Sequence, residues 1–460
     1  MNQRKLRRIG RREFVGTAVA TTLLSAASSQ LPAFSARQKR PNVLFILTDD
    51  LGWGDIGIYG QEYQTPNLDQ LAREGTRFTN AYSAQTVCTP TRIGFFTGRY
   101  PARLPVGLQE PLANSRQIGD SVGLPPEVPT IASLLKANGY ETALVGKWHS
   151  GYLPTYGPLK SGYDEFFGNY SGAIDYFTHK DGSGTPDFYE GEEPVEISGY
   201  ATDLYTERAI EFITRERDRP FYLSLHYNAP HWPWEGPEDE ELSRTFYNVN
   251  NFTAGGSRQT YAAILKSLDD GVGRVLQALK ESGQADNTIV IFTSDNGGER
   301  YSDLGPFQGR KGILYEGGLR VPAFIRWPRV IQPNQVSNQP IITFDWTATL
   351  LAATGTSSDP NYPLDGQNLL PLLQRRKPVN KRTLFWRYKS NLAGSSPGQL
   401  QAAVRSGDWK YLRLGENEYL FNLANDEGEQ TDLKNDYPKV LRQLRERFGQ
   451  WDAQVLPYPG

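Results

Sequence analysis

Cysteine occurs once in this 460-residue sequence, as Cys88, and Arg92 follows four positions later. Pro90 falls where a first helical turn begins, and Thr91 to Phe96 can carry a short helix to a stop at Gly98. The thiol then lies at a helix N-terminus, where free N–H groups favour negative charge, so an unmodified Cys88 is expected to be acidic and reactive. The alternative is a small buried hydrophobe, the commonest fate of a lone cysteine. Other reactive side chains gather in short stretches: Asp49-Asp50, Lys147 with His149, His231, Asp295-Asn296 and Lys311. Three carboxylates and an amide form a hard-oxygen donor set that suits Ca²⁺ or Mg²⁺ and argues against Zn²⁺. Arg92, Lys147 and Lys311, with His149 and His231, would surround such a cation, and that excess of donors expects an anion, a tetrahedral oxyanion above all. Taken singly, each stretch has a plainer reading: Asp49-Asp50 and Ser294-Asp295-Asn296-Gly297 as turns, His231 as a packed loop histidine.

The elements that must position these residues share one outline. Val43–Leu47, Thr142–Val145, Phe221–Leu225, Ile289–Thr293 and Val321–Ile325 are short runs that are apolar at nearly every position. Such runs indicate strands covered on both faces, as in parallel sheets. Amphipathic helical patterns alternate with them at 67–74, 130–138, 203–217 and 261–282, three of the four stopped by a glycine. The reading is an α/β fold with a large, mostly parallel, mixed sheet covered by helices on both faces. Ligands of open α/β sheets sit beyond the carboxyl ends of the strands, and Asp49-Asp50, Lys147 with His149, His231 and Asp295-Asn296 follow strand-like runs at that end. His226, at the end of one run, is read as structural.

From about residue 375 the texture changes. Residues 401–412 and 418–423 read as antiparallel strands and 437–451 as a closing helix with Leu441, Leu444 and Phe448 on one face. The expected organisation is an export signal over 1–36, a catalytic α/β domain over 41–375 and a smaller C-terminal α+β domain with an antiparallel sheet over 376–460.

The signal reading rests on six basic residues before position 13, a short apolar run and small residues near Ala36. Arg11-Arg12-Glu13-Phe14 resembles the twin-arginine type, although Gly10, Val15 and Gly16 depart from that pattern. The expected location is therefore outside the cytoplasm, periplasmic or secreted. The full chain carries a net charge of −2 and no basic block beyond the signal, so nucleic acid is not an expected partner. No run is long and apolar enough to span a bilayer.

Cys88-Thr89-Pro90-Thr91-Arg92 resembles the C-x-P-x-R core of the type I sulfatases, members of the alkaline phosphatase superfamily. Further motifs in family order run from Pro41–Asp50 through Gly146–His149, Pro230–Pro233, Thr293–Gly297, Lys311-Gly312 and Glu316–Pro322 to Ser406–Lys410. Thr91 stands where the family more often has serine, and it keeps the hydroxyl. The resemblance implies that a formylglycine-generating enzyme oxidises Cys88 to formylglycine, whose hydrated aldehyde attacks a sulfate monoester and later expels sulfate by collapsing to the aldehyde. It further implies one Ca²⁺, ahead of Mg²⁺, held by Asp49, Asp50, Asp295, Asn296 and the modified Cys88. Arg92 and Lys147 would stabilise the diol, His149 would act as base on its second hydroxyl, and His231 and Lys311 would contact the sulfate and the bridging oxygen. Lys311 fits the family register and Arg310 does not.

A phosphodiester or phosphonate hydrolase on the same scaffold, and a non-catalytic binder of sulfated glycans, are the rival readings. Tyr152, Tyr156, Tyr170, Tyr176, Phe177, Trp232 and Trp234, read as loop aromatics after strand ends, could form platforms for a sugar or aryl group, with a sulfated carbohydrate favoured. Ordinary loop packing is the competing account.

Overall fold

The computed structural model describes residues 40–60, 62–245, 253–375, 382–390 and 399–458. The expected signal over 1–36 lies outside them, and the expected boundary after residue 375 abuts residues 376–381, which also lie outside them. Residues Arg40–Gly460 form one compact unit. In chain order its strands are β1 (Asn42–Thr48), β2 (Thr76–Phe78), β3 (Ala81–Tyr82), β4 (Glu141–Lys147), β5 (Glu165–Asn169), β6 (Tyr189–Glu190), β7 (Glu193–Pro194) and β8 (Phe221–His226). There follow β9 (Thr288–Ser294), β10 (Ala323–Arg326), β11 (Gln335–Ser337), β12 (Ile341–Ile342), β13 (Thr383–Tyr388), β14 (Gln401–Ser406), β15 (Trp409–Leu414) and β16 (Asn417–Asn422).

Ten strands form the main sheet in the order β11-β2-β10-β9-β1-β8-β4-β5-β6-β7. The central five, β9-β1-β8-β4-β5, are mutually parallel. Strand β10 runs antiparallel to β9 and β2, which makes the sheet mixed. The continuous apolar runs have a direct cause, because alternate residues of β1 enter two different cores. Val43, Phe45 and Leu47 pack with Ile93 and Phe96 of the helix Cys88–Thr97 and Leu350 of the helix Phe344–Thr354. Leu44 and Ile46 pack on the opposite face with Leu68, Tyr205 and Leu268, from the helices Pro66–Arg73, Ala201–Thr214 and Arg258–Glu281. The expected helices are therefore present within a few residues of their sequence bounds.

Strands β13 to β16 form a separate antiparallel sheet. The helix Pro438–Asp452 buries Leu444, Phe448 and Trp451 against it. Its core continues through Leu314, Leu319 and Phe344, so this sheet packs directly on the loop that carries Lys311.

The motif residues Glu316 and Lys410 meet at this junction. Lys410 Nζ lies 2.9 Å from Glu316 Oε1 and 2.8 Å from Glu429 Oε1, with all three side chains buried. Glu316 Oε2 accepts from Arg320 Nε at 2.8 Å and from the Tyr82 hydroxyl at 2.6 Å. A buried ion network thus ties the C-terminal sheet to the stretch just after Lys311.

Candidate active site

Strand register brings the reactive residues together. Thr48 of β1 pairs with Ser294 of β9, so Asp49 and Asp295 leave neighbouring strands at the same height. His226 of β8 pairs with Leu47 and Gly146, which sets Lys147 one residue beyond them on β4. Gly146 has φ of 111°, and a Cβ there would lie 1.8 Å from the His226 carbonyl oxygen, so only glycine lets β4 approach β8 this closely.

The helix Cys88–Thr97 is buried throughout and ends at Gly98, left-handed at φ of 69°. Pro90 is tolerated in its first turn, where no intrahelical N–H bond is required. Phe95 stacks on Phe45 of β1 with centroids 3.8 Å apart, and Phe96 stacks on Trp148 and His226. These rings fix the helix against the sheet and aim its first residue at the rim. Thr91 exchanges two hydrogen bonds with Gln85, donating to its carbonyl and accepting from its N–H at 2.9 Å each, so its hydroxyl pins the turn before Cys88.

At the rim, Cys88 Sγ is 3.3 Å from Asp49 Oδ1, and Lys147 Nζ is 2.5 Å from Asp49 Oδ2. Arg92 donates to Asp295 Oδ2 from Nε at 3.1 Å and Nη2 at 2.9 Å. Asp50, at φ of 63°, takes Lys311 Nζ on Oδ2 and Asn296 Nδ2 on Oδ1, each at 2.8 Å. Its N–H donates to Asp295 Oδ1 at 3.2 Å. Lys311 Nζ also lies 3.2 Å from His231 Nε2. All the sequence-derived site residues, Asp49, Asp50, Cys88, Arg92, Lys147, His149, His231, Asp295, Asn296 and Lys311, lie at the carboxyl end of the parallel strands. Arg310 is exposed and takes no part in these contacts.

Charge and tautomer follow from the surroundings. Burial works to raise the Asp50 carboxyl, but Lys311, His231 and the Asn296 hydrogen bond together outweigh it and hold Asp50 at about 2. Burial works to lower Lys311, but Asp50, Cys88 and Asp49 together outweigh it and keep the ammonium well above its ordinary range. Burial, with Asp49 beside it, pushes Asp295 up to about 6. Burial and Lys147 drive His149 far down, and burial and Lys311 lower His231 to about 3, so both imidazoles are neutral at pH 7.

His149 Nε2 lies 3.0 Å from the Leu112 carbonyl, which can only accept; the proton is therefore on Nε2 and Nδ1 carries a bare lone pair. That Nδ1 is buried without a partner. The same logic puts the His231 proton on Nδ1, 2.6 Å from the Trp232 carbonyl, and leaves Nε2 to accept from Lys311.

Two sequence expectations are overturned. The thiol is not acidified by its helix terminus: burial, Asp295 and Asp49 push Cys88 well above the ordinary thiol range. An unmodified Cys88 is thus a poor nucleophile. The aromatic platform also fails in part, because Tyr152, Tyr170, Tyr176 and Trp234 are buried in the cores; the Tyr176 hydroxyl, for one, donates to the His231 carbonyl at 2.9 Å. Sequence reasoning missed Thr89 and Leu112. Thr89 Oγ1 accepts from Leu112 N–H at 3.0 Å while the Leu112 carbonyl orients His149, a relay with no local signature. His226 is buried, with Nδ1 3.2 Å from the Lys147 carbonyl, and serves as packing behind the rim.

The donor set fits a hard divalent cation. Asn296 Oδ1 is buried with no hydrogen-bond partner, as expected of an oxygen reserved for a metal. One ligand atom from each of Asp49, Asp50, Cys88 and His231 lies within 4.8 Å of the others. His231 joins this cluster although the sequence reading gave it another role.

A mixed sheet with this rim, where buried carboxylates face an excess of cations, is an architecture suited to hydrolysis of an oxyanion ester. A family profile described as Sulfatase matches residues 41–356, and one described as N-sulphoglucosamine sulphohydrolase, C-terminal, matches 305–454. Mus musculus arylsulfatase J is 32% identical over 93% of this chain and 78% of its own length. Homo sapiens N-acetylgalactosamine-6-sulfatase is 34% identical over 83% of this chain and 75% of its own. The crystal structure of Ps i-CgsB, also solved with k-i-k-neocarrahexaose, is 31% identical with a TM-score of 0.80 over 90% of this chain and 93% of that one. The chain belongs to the sulfatase family and is a sulfuric ester hydrolase. Among the described residues, no helix is long and apolar enough to cross a membrane.

Proposed function

We propose that this enzyme hydrolyses sulfate monoesters of carbohydrates with a formylglycine derived from Cys88. The observation that carries the reading is the 3.3 Å approach of Cys88 Sγ to Asp49 Oδ1 in a buried cluster that also offers Asp50 and His231. A thiol held protonated by burial and by its carboxylate neighbours has little use as a nucleophile there, whereas a precursor needs only position. The formylglycine hydrate supplies an oxygen nucleophile and a second hydroxyl whose return to the aldehyde releases sulfate. Asp49, Asp50, Asp295 and Asn296, with residue 88, would hold Ca²⁺, which supplies Lewis-acid polarisation of the sulfate.

The chain's own groups divide the remaining work. Lys147 and Arg92 hold Asp49 and Asp295 in place and offset the charge gathering on the nucleophilic oxygen. His149 Nδ1, a neutral lone pair, takes the proton of the second hydroxyl. Lys311, held charged by Asp50 and oriented by His231 Nε2, donates to the bridging oxygen as the alcohol leaves. A sulfated carbohydrate is favoured because the N-acetylgalactosamine-6-sulfatases and the neocarrahexaose-bound structure are close in sequence. Maturation requires a formylglycine-generating enzyme. Export through a signal over 1–36 completes the reading, and folded transport would allow oxidation beforehand.

Cys88→Ala and Cys88→Ser, assayed on an aryl sulfate, test the mechanism. Alanine is expected to abolish turnover, and serine to stall after a single transfer because a simple ester has no aldehyde to collapse to. Full turnover by either variant contradicts it. Matched sulfate and phosphate esters of one alcohol separate this reading from a phosphodiester or phosphonate hydrolase.

A further inference from the structure

A cavity of about 530 Å³ lies between the loop Gly309–Ile313 and the C-terminal sheet. That volume is within the range of small-ligand sites, about 300–1,000 Å³. One of its walls is Lys311, the residue assigned to the bridging oxygen. Lys311 thus borders both the rim, through Asp50 and His231, and this cavity, which offers room beside it for a group bonded to that oxygen. The lining mixes apolar and polar groups: the phenol of Tyr388 and the amide of Gln399 join the Arg310-Lys311 pair.

Arg310 is the distinctive member. It is exposed, and among the described residues its guanidinium has neither ion pair nor hydrogen bond. Arginines on the neighbouring elements are engaged: Arg320 with Glu316 at 2.6 Å and Arg387 with Asp452 at 2.6 Å. The position of Arg310 is nevertheless set. Gln401 of β14 donates from Nε2 to the Gly312 carbonyl at 3.1 Å and accepts the Leu314 N–H on Oε1 at 3.0 Å. Lys311 N–H donates to the Gly298 carbonyl at 3.0 Å. A Cβ on Gly297 would lie 1.9 Å from the Gly317 carbonyl oxygen, so this close approach of the two segments also requires glycine. Two cations one residue apart are thus held on one braced loop, one turned to the rim and the other to the cavity.

We infer that this cavity is the subsite for the leaving-group side of the substrate, and that Arg310 binds a second anionic group there, a sulfate or carboxylate elsewhere on the same glycan. The inference rests on the sulfatase reading above and narrows its substrate to multiply anionic oligosaccharides. An unpaired guanidinium is suited to this role, because its planar fork takes two oxygens of one oxyanion and stays charged at every relevant pH. A solvated loop arginine with no ligand is the competing account.

Competition assays separate the two. The inhibition constants of a multiply sulfated galactan hexasaccharide and of galactose 6-sulfate are measured against hydrolysis of 4-nitrophenyl sulfate, in wild type, Arg310→Gln and Arg310→Lys. The wild type is expected to bind the hexasaccharide at least tenfold more tightly than the monosaccharide. Arg310→Gln should reduce that preference about tenfold and Arg310→Lys only in part. A wild-type preference below tenfold, or one that survives Arg310→Gln unchanged, overturns the proposal. Hydrolysis of 4-nitrophenyl sulfate by the wild type reads the sulfatase activity itself, so failure of that activity is seen separately.

Discussion

Two buried charge clusters lie on either side of the Lys311 loop. At the rim, Asp49, Asp50 and Asp295 face Arg92, Lys147 and Lys311; at the junction, Glu316 and Glu429 face Lys410 and Arg320. Both are removed from water, and both contain a non-glycine residue in left-handed backbone, Asp50 and His149 in one and Glu429 in the other. Strain therefore does not distinguish them. Unused lone pairs do: Asn296 Oδ1 and His149 Nδ1 are buried without partners at the rim, whereas both Glu316 oxygens are taken and Glu429 Oε1, which lacks a hydrogen bond, still faces the Lys410 ammonium at 2.8 Å. Buried polar atoms are rarely left unsatisfied in a structural network, so the incomplete cluster is the one prepared for a ligand.

Substitutions that treat the two clusters differently test this distinction. His149→Ala should leave the fold intact and lower kcat on an aryl sulfate by about 10²–10⁴-fold, the usual contribution of a general base. A fall in thermal stability that matches the loss of rate would break the distinction. Lys410→Met should do the reverse, destabilising by about 3–5 kcal/mol, because Glu316 and Glu429 would share a buried site without their common cation. Denaturant unfolding measures this, and turnover per folded molecule should change far less.

The buried carboxyl of Glu235 belongs to neither cluster. Glu235 is pushed up to about 10 by burial and by Asp175, so it is protonated in the folded protein at neutral pH. The unfolded chain releases that proton near pH 4.5, so the stability it confers is fully present below that value. It is lost as pH rises towards 10, by about 1.4 kcal/mol per pH unit. Glu235→Gln should flatten this decline when unfolding midpoints are compared at pH 6 and pH 9. An unchanged slope would show that the proton is held elsewhere.

The sequence made the rim more legible than the junction. Strands β1, β4, β8 and β9 were readable because burial on both faces makes nearly every position apolar, and Asp49, Asp50, Lys147, His149, Asp295 and Asn296 directly follow such runs. Strand β13 was not read, and Glu316 and Lys410 could be seen only as motif residues, since their pairing joins positions 94 residues apart. The reactive-thiol expectation failed for a related reason. A helix terminus is a local feature, while the burial that dominates Cys88, and the Asp295 and Asp49 carboxylates that add to it from just beyond β9 and β1, are set by the tertiary fold. Tyr152, Tyr170, Tyr176 and Trp234 were misjudged because loop position says little about burial when the loops themselves pack over the sheet.

Mass spectrometry of the peptide containing residue 88, on protein purified from a host with a formylglycine-generating enzyme, tests the central claim most directly. An aldehyde or its hydrate is expected in place of CH₂SH, in a fraction that tracks specific activity on an aryl sulfate. Full activity from protein whose Cys88 is entirely unmodified thiol would contradict it.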